Sequence, residues 1–372
     1  MKIKSLEFHP VVVERKYGTV IAQAGGKAKR TVTKSYCYFV ELKTDTGLTG
    51  WGEVSDVEIE DLPEDPADYA ELLRKFTVGR RPYELQRLHH DLREHFDLAG
   101  DSLAHYTSCA LDMAMYDLIG KAKDAPVYDL LGGAVRREVR ISWVAYIRED
   151  LDLLKEEIRQ RRAEGFTAYK LKVGLDIDLD QQRMAVLRET AGRDASIKVD
   201  ANAGWSVKEA PANIRRLARY GLAGVETPVP REDPADIAAV RRQVDVPILE
   251  HVSTLEYALD LVKHEAVDDF NIATTGAGGL WPARQIVAVS QAAGVGVLLG
   301  STVEMGPGTH AQLHLAATVP NLTLPSDLIG PGMYQDDVLV RPITYQQGKL
   351  LVPDGVGLGF DIDRDKLKRL AG

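Results

Sequence analysis

The chain has 372 residues and a mass of 41.0 kDa, enough for one large domain with a smaller one. Its 45% apolar content is that of an ordinary globular protein, and its two cysteines are too few for a disulfide framework. A formal charge of -9 and a pI near 5.6 argue against non-specific nucleic-acid binding, and no apolar run is long enough to span a bilayer.

The opening Met1-Lys2-Ile3-Lys4 runs directly into a strand pattern without a signal-peptide core, so a cytoplasmic location is expected. Residues Ile3 to Val13 alternate as a strand. Glu14 to Arg30 carries Gly18, Gly25 and Gly26 among Lys16, Lys27, Lys29 and Arg30, and reads as a mobile basic loop suited to an anionic ligand. Tyr36 to Lys43 and Leu48 to Val54 form a hairpin around Asp45-Thr46-Gly47. Helices are expected over Pro66–Phe76, Pro82–Phe96 and Leu103–Lys121. The last has closely spaced alanines that would admit another helix. His89-His90 reads as a surface or domain contact, and Cys37 and Cys109 as core.

Strand and helix signals then alternate with a period of about 25–30 residues, the size of a βα unit. Strands are expected at Arg140–Tyr146, Ala168–Val173, Ser196–Ala201, Val225–Thr227, Pro247–Glu250, Phe270–Thr274 and Val295–Leu299, with a short eighth at Leu322–Leu324. The fold class is α/β: a (β/α) barrel over residues 131–337, behind an α+β domain over residues 1–130. The tail, 338–372, has strand-like Val338–Pro342 and Lys349–Val352 and would pack back on the first domain.

In such a barrel the C-terminal strand ends and the loops after them build the active site. The second strand ends in Lys170 and Lys172, whose i, i+2 spacing puts both on one face. Burial and mutual repulsion would both favour a neutral lysine, and hence a general base, while on a solvated strand both lysines would simply face water. The third strand ends in Asp200 with Asn202, the fourth in Glu226, the fifth in Glu250 and His251, and the sixth holds Asn271. Glu304 follows the seventh. Carboxylates converging on one barrel mouth repel each other unless a hard divalent cation joins them, and oxygen ligands on separate strands suit Mg²⁺.

The residues resemble the enolase superfamily, in its muconate-lactonizing and mandelate-racemase-like branch. The resemblance rests on Gly50-Trp51-Gly52-Glu53, on Ala110 to Lys121, on Leu130-Leu131-Gly132-Gly133, on Lys170-Leu171-Lys172, on Asp200-Ala201-Asn202, on Glu226 before Pro228, and on Gly278-Gly279-Leu280. It implies an α+β capping domain over a modified TIM barrel. It implies Mg²⁺-assisted removal of a proton α to a carboxylate, with Lys172 as base and Lys170 lowering its pKa. Asp200 and Glu226 would be metal ligands, Asn202 would lie beside them, and the 14–30 segment would close over a small anionic substrate. Homo-oligomers are also implied.

Three positions depart from the pattern. Counting from Glu226 puts the third metal ligand at His251, whereas the chemistry of Mg²⁺ prefers Glu250. Ala273 stands where an opposing lysine or aspartate would be, and Gly300 where a catalytic histidine would be. A site with one base serves syn elimination or cycloisomerisation better than racemisation. Dehydration of a hydroxy-carboxylic acid or acid sugar therefore ranks first, lactone-forming cycloisomerisation second and epimerisation third. A degenerate binding protein is the non-enzymatic alternative.

Overall fold

The computed structural model describes residues 1–98 and 102–371. The first strand, β1 (Ile3–Thr19), runs past the expected end at Val13 because its alternation of buried positions continues through Arg15 to Thr19. Arg15 can sit in the buried row because Asp56 accepts two hydrogen bonds from its guanidinium, at 2.6 and 2.7 Å, and Ser35 a third at 3.0 Å. The expected basic loop is therefore partly strand. Its remainder is a small hairpin, β2 (Ala22–Gln23) and β3 (Lys27–Ala28). With β4 (Val32–Thr44) and β5 (Thr49–Val57), β1 forms an antiparallel sheet in the order β1-β4-β5.

Three helices follow: α1 (Pro66–Thr77), α2 (Leu85–His95) and α3 (Leu103–Lys123). The alanines of α3 admit a strand rather than a helix. A Cβ on Gly52 would lie 1.8 Å from the Ala110 carbonyl oxygen, so β5 rests directly on the helix backbone. His89 is buried rather than on the surface, its Nε2 2.8 Å from Asp112 Oδ2. Asp112 also accepts the Leu280 backbone N–H at 2.7 Å and so ties α3 to the barrel. Both cysteines are buried.

A short helix, α4 (Val127–Leu130), leads to the barrel. The expected first barrel strand is broken into β6 (Glu138–Arg140) and β7 (Trp143–Ala145). Then come β8 (Ala168–Lys172), β9 (Ser196–Asp200), β10 (Gly224–Glu226), β11 (Ile248–His251), β12 (Asp269–Ile272) and β13 (Gly296–Leu299). They pair in parallel in the order β13-β12-β11-β10-β9-β8-β7. Residues 321–327 close the ring. Thr323 N donates to Val297 O at 3.0 Å, and Ser142 N to Ser326 O at 2.7 Å. The expected eighth strand is reduced to such single rungs because Pro320 and Pro325 flank it and have no N–H for a ladder.

Helices alternate with these strands: α5 (Leu151–Ala163), α6 (Ile177–Ala191), α7 (Ala210–Ala218), α8 (Pro234–Arg241) and α9 (Leu255–Lys263). After β12 a single helical turn, α10 (Thr274–Ala277), precedes α11 (Leu280–Ala293), and α12 (Gly306–Ala317) follows β13. In the tail, Lys349–Leu351 pairs antiparallel with β6, whereas Leu339 makes only a single rung with Ile362. The tail also meets the first sheet, where Val12 N donates to Leu370 O at 2.9 Å. The fold is thus an α/β modified TIM barrel under an N-terminal α+β cap. Among the described residues no helix is long and apolar enough to cross a membrane.

Candidate active site

A cavity of about 670 Å³ lies at the C-terminal ends of the barrel strands, beneath the β2–β3 hairpin. Period-two alternation and parallel register decide what points into it. Lys170 pairs with Lys198, and Lys172 with Asp200, which in turn pairs with Glu226. Lys170, Lys172, Asp200, Asn202, Glu226, His251 and Asn271 all line the cavity. Non-glycine residues in left-handed backbone, Asn202 at φ 46 and Thr227 at φ 41, turn the chain sharply at two of these strand ends.

Lys172 Nζ lies 2.6 Å from Asp200 Oδ2. Lys170 Nζ is 2.8 Å from Asp327 Oδ2, 3.1 Å from Glu226 Oε2 and 3.6 Å from Asp200 Oδ2. Burial alone would lower the pKa of Lys170, but Asp327, Glu226 and Asp200 together hold it well above the usual lysine range. Lys170 therefore stays an ammonium among three carboxylates. Burial raises the Asp200 carboxyl, yet Lys172 and Lys170 outweigh it and hold it down to about 2. Burial pushes Glu226 up, and the neighbouring Asp200 pushes it further.

Register also separates the two candidates on β11. Leu249 pairs with Glu226 and His251 with Asn271, so His251 faces inward and Glu250 faces the other way. Glu250 accepts hydrogen bonds from Thr227 Oγ1 at 3.0 Å and from the His251 N–H at 2.9 Å, and its Oε1 lies 3.0 Å from Arg231 Nε. Burial pushes its carboxyl up to about 8. The His251 ring packs over Gly276 in α10, where a Cβ would stand 2.7 Å from Cε1. Asn271 donates to Glu226 Oε1 at 2.7 Å.

The remaining expected residues lie outside the cavity wall. Glu304 is buried behind it, accepting from Ser301 Oγ and from Thr302 N at 3.0 Å, and so braces the loop after β13. Lys16 donates to Gly332 O at 3.1 Å on the outside of β1, and Lys27 is exposed on β3. Lys29 and Arg30 do line the cavity, but Glu58 pairs with both.

Sequence reasoning missed four residues here. Lys198 is fully buried, its Nζ 2.8 Å from both Asp327 Oδ1 and Pro325 O. Its place two residues before Asp200 was the available signal. Asp327 ends the eighth barrel segment, and the same reading of strand ends would have found it. Thr227 and Arg231, in the loop after β10, carried no signal of their own.

The donors at the mouth are rich in oxygen. Beside the Asp200 and Glu226 carboxylates, Asn202 Oδ1 and Asn271 Oδ1 are buried without a hydrogen-bond partner. Hard divalent cations take such a set. Both carboxylates are also bound by lysine ammonium groups, Asp200 by Lys172 and Lys170 and Glu226 by Lys170. Among the described residues, the group of three whose ligand atoms all lie within 4.8 Å of one another is elsewhere, at Glu7, His9 and Glu41 on the capping sheet. That cluster has the donors to coordinate a divalent cation. Its charge is already shared with Lys43, 2.7 Å from Glu7 Oε1, and with Arg364, 2.7 Å from Glu41 Oε2.

Residues 153–366 match the family described as enolase C-terminal domain-like, and residues 19–132 match the mandelate racemase / muconate lactonizing enzyme N-terminal domain. The chain belongs to the enolase superfamily, in its mandelate racemase/muconate-lactonizing branch. It is 30% identical over 365 residues to a chloromuconate cycloisomerase of Cupriavidus pinatubonensis, covering 94% of this chain and 93% of that one. It superposes on a 2-chloromuconate cycloisomerase of Rhodococcus opacus with a TM-score of 0.90 at 26% identity, over 100% of both chains. An N-succinyl Arg/Lys racemase of Bacillus cereus superposes with a TM-score of 0.89 at 25% identity, over 100% of this chain and 98% of that one. The protein is an enolase-superfamily enzyme acting on a carboxylate substrate by metal-assisted proton abstraction.

Proposed function

We propose that the chain is a one-base cycloisomerase that interconverts an unsaturated carboxylic acid and its lactone. The observation that carries this reading is the one-sided arrangement of the base. Lys172 reaches the cavity from β8, while Ala273, beyond the end of β12, and Gly300, after β13, offer no acid or base from the other side. Racemisation needs a proton donor and an acceptor on opposite faces of the α-carbon. The similarity to chloromuconate cycloisomerases supports the same reading.

Lys172 Nζ is the group that moves the proton. In the lactone-forming direction a carboxylate oxygen of the substrate bonds to the carbon β to its other carboxylate, and Lys172 delivers a proton to the α-carbon. In the reverse direction Lys172 removes that proton as the C–O bond breaks. Lys170, held cationic by Asp327 and Glu226, orients the substrate carboxylate. Asp200, Glu226 and the inward-facing His251 are the proposed metal ligands, with Asn202 and Asn271 beside them. A divalent cation bound there, Mg²⁺ or a close relative, supplies positive charge that offsets the charge building on the substrate carboxylate. Dehydration of a β-hydroxy acid is the second reading, since the same lysine on the same face can take the α-proton and return one to the leaving hydroxide.

The test is solvent deuterium incorporation at the α-carbon, followed by NMR over a panel of lactones, unsaturated diacids and β-hydroxy acids. Exchange with lactones and diacids that disappears in Lys172→Ala is the expected result. Exchange that persists in that variant, or inversion at the α-carbon, overturns the one-base assignment.

A further inference from the structure

The parallel ladder between β7 and β8 ends where Ala145 pairs with Leu171, one residue short of Lys172. Where the next rung would come, a side chain takes its place. Arg183, on α6, donates from Nη2 to Tyr146 O at 2.8 Å and from Nη1 to Lys172 O at 2.7 Å, so its guanidinium bridges the carbonyls of the two strand ends. Asp180, three residues earlier on the same helix, accepts from Arg183 Nη1 at 3.0 Å, and its other oxygen accepts the Gly174 N–H at 2.8 Å. Between these two anchors, Val173 N donates to Asp200 O at 2.9 Å on the β9 side. One ion pair of α6 thus holds the backbone of the lysine strand on both sides of Val173.

Both side chains of the pair are buried. Burial pulls Arg183 down to about 10 and pushes Asp180 up to about 6, so both groups bear the cost of leaving water. Apolar residues of the same volume are often as stabilising as such a pair. They could not, however, bond two carbonyls and an N–H at this strand end. The other arginine of α6 gives the contrast. Arg188 donates to the carbonyls of Ala195, Tyr220 and Gly221, in the loops that enter β9 and β10 at the opposite end of the barrel, where it braces the frame. We infer that Arg183, set in place by Asp180, is a positioning residue for Lys172, pinning the end of β8 so that the lysine enters the cavity at one place and angle. This inference rests on the proposed function for the role of Lys172 as base. A reacting group misplaced by about 1 Å loses about 10²-fold in rate, which is the scale on which such a clamp acts.

The experiment compares Arg183→Met, Arg183→Lys and Arg188→Met with the native protein at millimolar Mg²⁺. The first readout needs no substrate. It is the rate of reductive methylation of Lys172, located by peptide mass spectrometry, with the exposed Lys368 as internal standard. Arg183→Met should free the end of β8 and raise that rate about 10-fold or more, the local opening expected when hydrogen bonds to a charged group are lost. The second readout is kcat and KM for α-proton exchange on the lactone or diacid that the native enzyme turns over. Arg183→Met should lower kcat by about 10–100-fold with KM little changed. Arg183→Lys, which reaches one carbonyl, should recover part of both effects. Arg188→Met should lower the melting temperature yet leave the Lys172 rate and kcat native. If Arg183→Met does not fold, Asp180→Asn, which keeps the shape of the pair, takes its place under the same expectations. A Lys172 rate that stays native in the clamp variant, or that rises equally in Arg188→Met, overturns the inference. If the methylation rates behave as expected while the native enzyme exchanges no α-proton, the proposed reaction fails and the clamp on Lys172 stands. Exchange that is lost in Lys172→Ala but keeps its native kcat in Arg183→Met sinks only the assignment of Arg183.

Discussion

Lys170 Nζ and Asp327 Oδ2 stand 2.8 Å apart across the point where the barrel closes. The other oxygen of Asp327 holds Lys198 at the same distance, so one buried carboxylate keeps two buried ammonium groups in place. Burial would raise its pKa, but the two lysines hold it below the usual aspartate range. Asp327→Asn should leave both lysines without their main counter-charge and destabilise the protein by about 3 kcal/mol, as breaking a buried ion pair does. Urea unfolding at neutral pH measures this, and a loss below about 0.5 kcal/mol would contradict the account.

Lys172→Ala should reduce turnover on any substrate by at least about 10³-fold, at the upper end of what a general base contributes. Because Lys172 also neutralises Asp200 at 2.6 Å, Lys172→Met is the better check that the fold survives. Circular dichroism close to native with turnover lost is the expected pair of results.

An imidazole at a proposed ligand position should shift the choice of metal. With His251 beside Asp200 and Glu226, the protein should hold Mn²⁺ or Zn²⁺ more tightly, relative to Mg²⁺, than His251→Asp does. Calorimetric titration with each ion gives the ratio. A ratio that does not move on substitution would remove His251 from the ligand set.

Gly52 tests the contact between the cap strand and α3. A Cβ there would come within 1.8 Å of the Ala110 carbonyl oxygen, and neither backbone has room to move inside a buried sheet-on-helix contact. Gly52→Ala should therefore cost about 3 kcal/mol or more, the upper range for overpacking. The readout is a lower melting temperature, and an unchanged one would mean that the strand and helix can separate freely.

A buried histidine, His314, and a half-buried one, His310, give the stability a dependence on acid. Burial lowers the pKa of His310 to about 4 and that of His314 to about 3, from an ordinary 6.5. The unfolded chain takes up protons near pH 6.5 that the folded chain refuses. Their contribution is therefore complete above about pH 6.5 and is lost progressively as pH falls toward 3–4, by at most roughly 3–5 kcal/mol per histidine. His314→Asn should flatten the stability profile between pH 6.5 and 4, measured by denaturant unfolding at a series of pH values.

The barrel and its strand ends were legible from sequence because they rest on local rules. Period-two alternation put Lys170 with Lys172, and the repeat length of βα units placed Asp200, Glu226 and Asn271 at corresponding positions on successive strands. Where a local rule met a residue satisfied from far away, the reading stopped short. Arg15 looked like the start of a loop because nothing near it in sequence shows that Asp56 awaits it across the sheet. Lys16 and Lys27 looked like ligand-binding residues because composition carries no direction. Lys29 and Arg30 do reach the cavity, already paired with Glu58.

What sequence alone determined is the family, the fold class and the residue types at the barrel mouth, since these follow from spacing along one chain. The direction of each side chain and the charge on each group were decided by tertiary structure. The register of β11 turns His251 inward and Glu250 away, a choice on which the count along the chain and the chemistry of Mg²⁺ had disagreed. Asp200 on β9, Glu226 on β10 and Asp327 in the closing segment keep Lys170 charged, against the lowering that burial alone would give. Coulomb energy depends on distance through space, and the distances between those strands exist only once the barrel has closed.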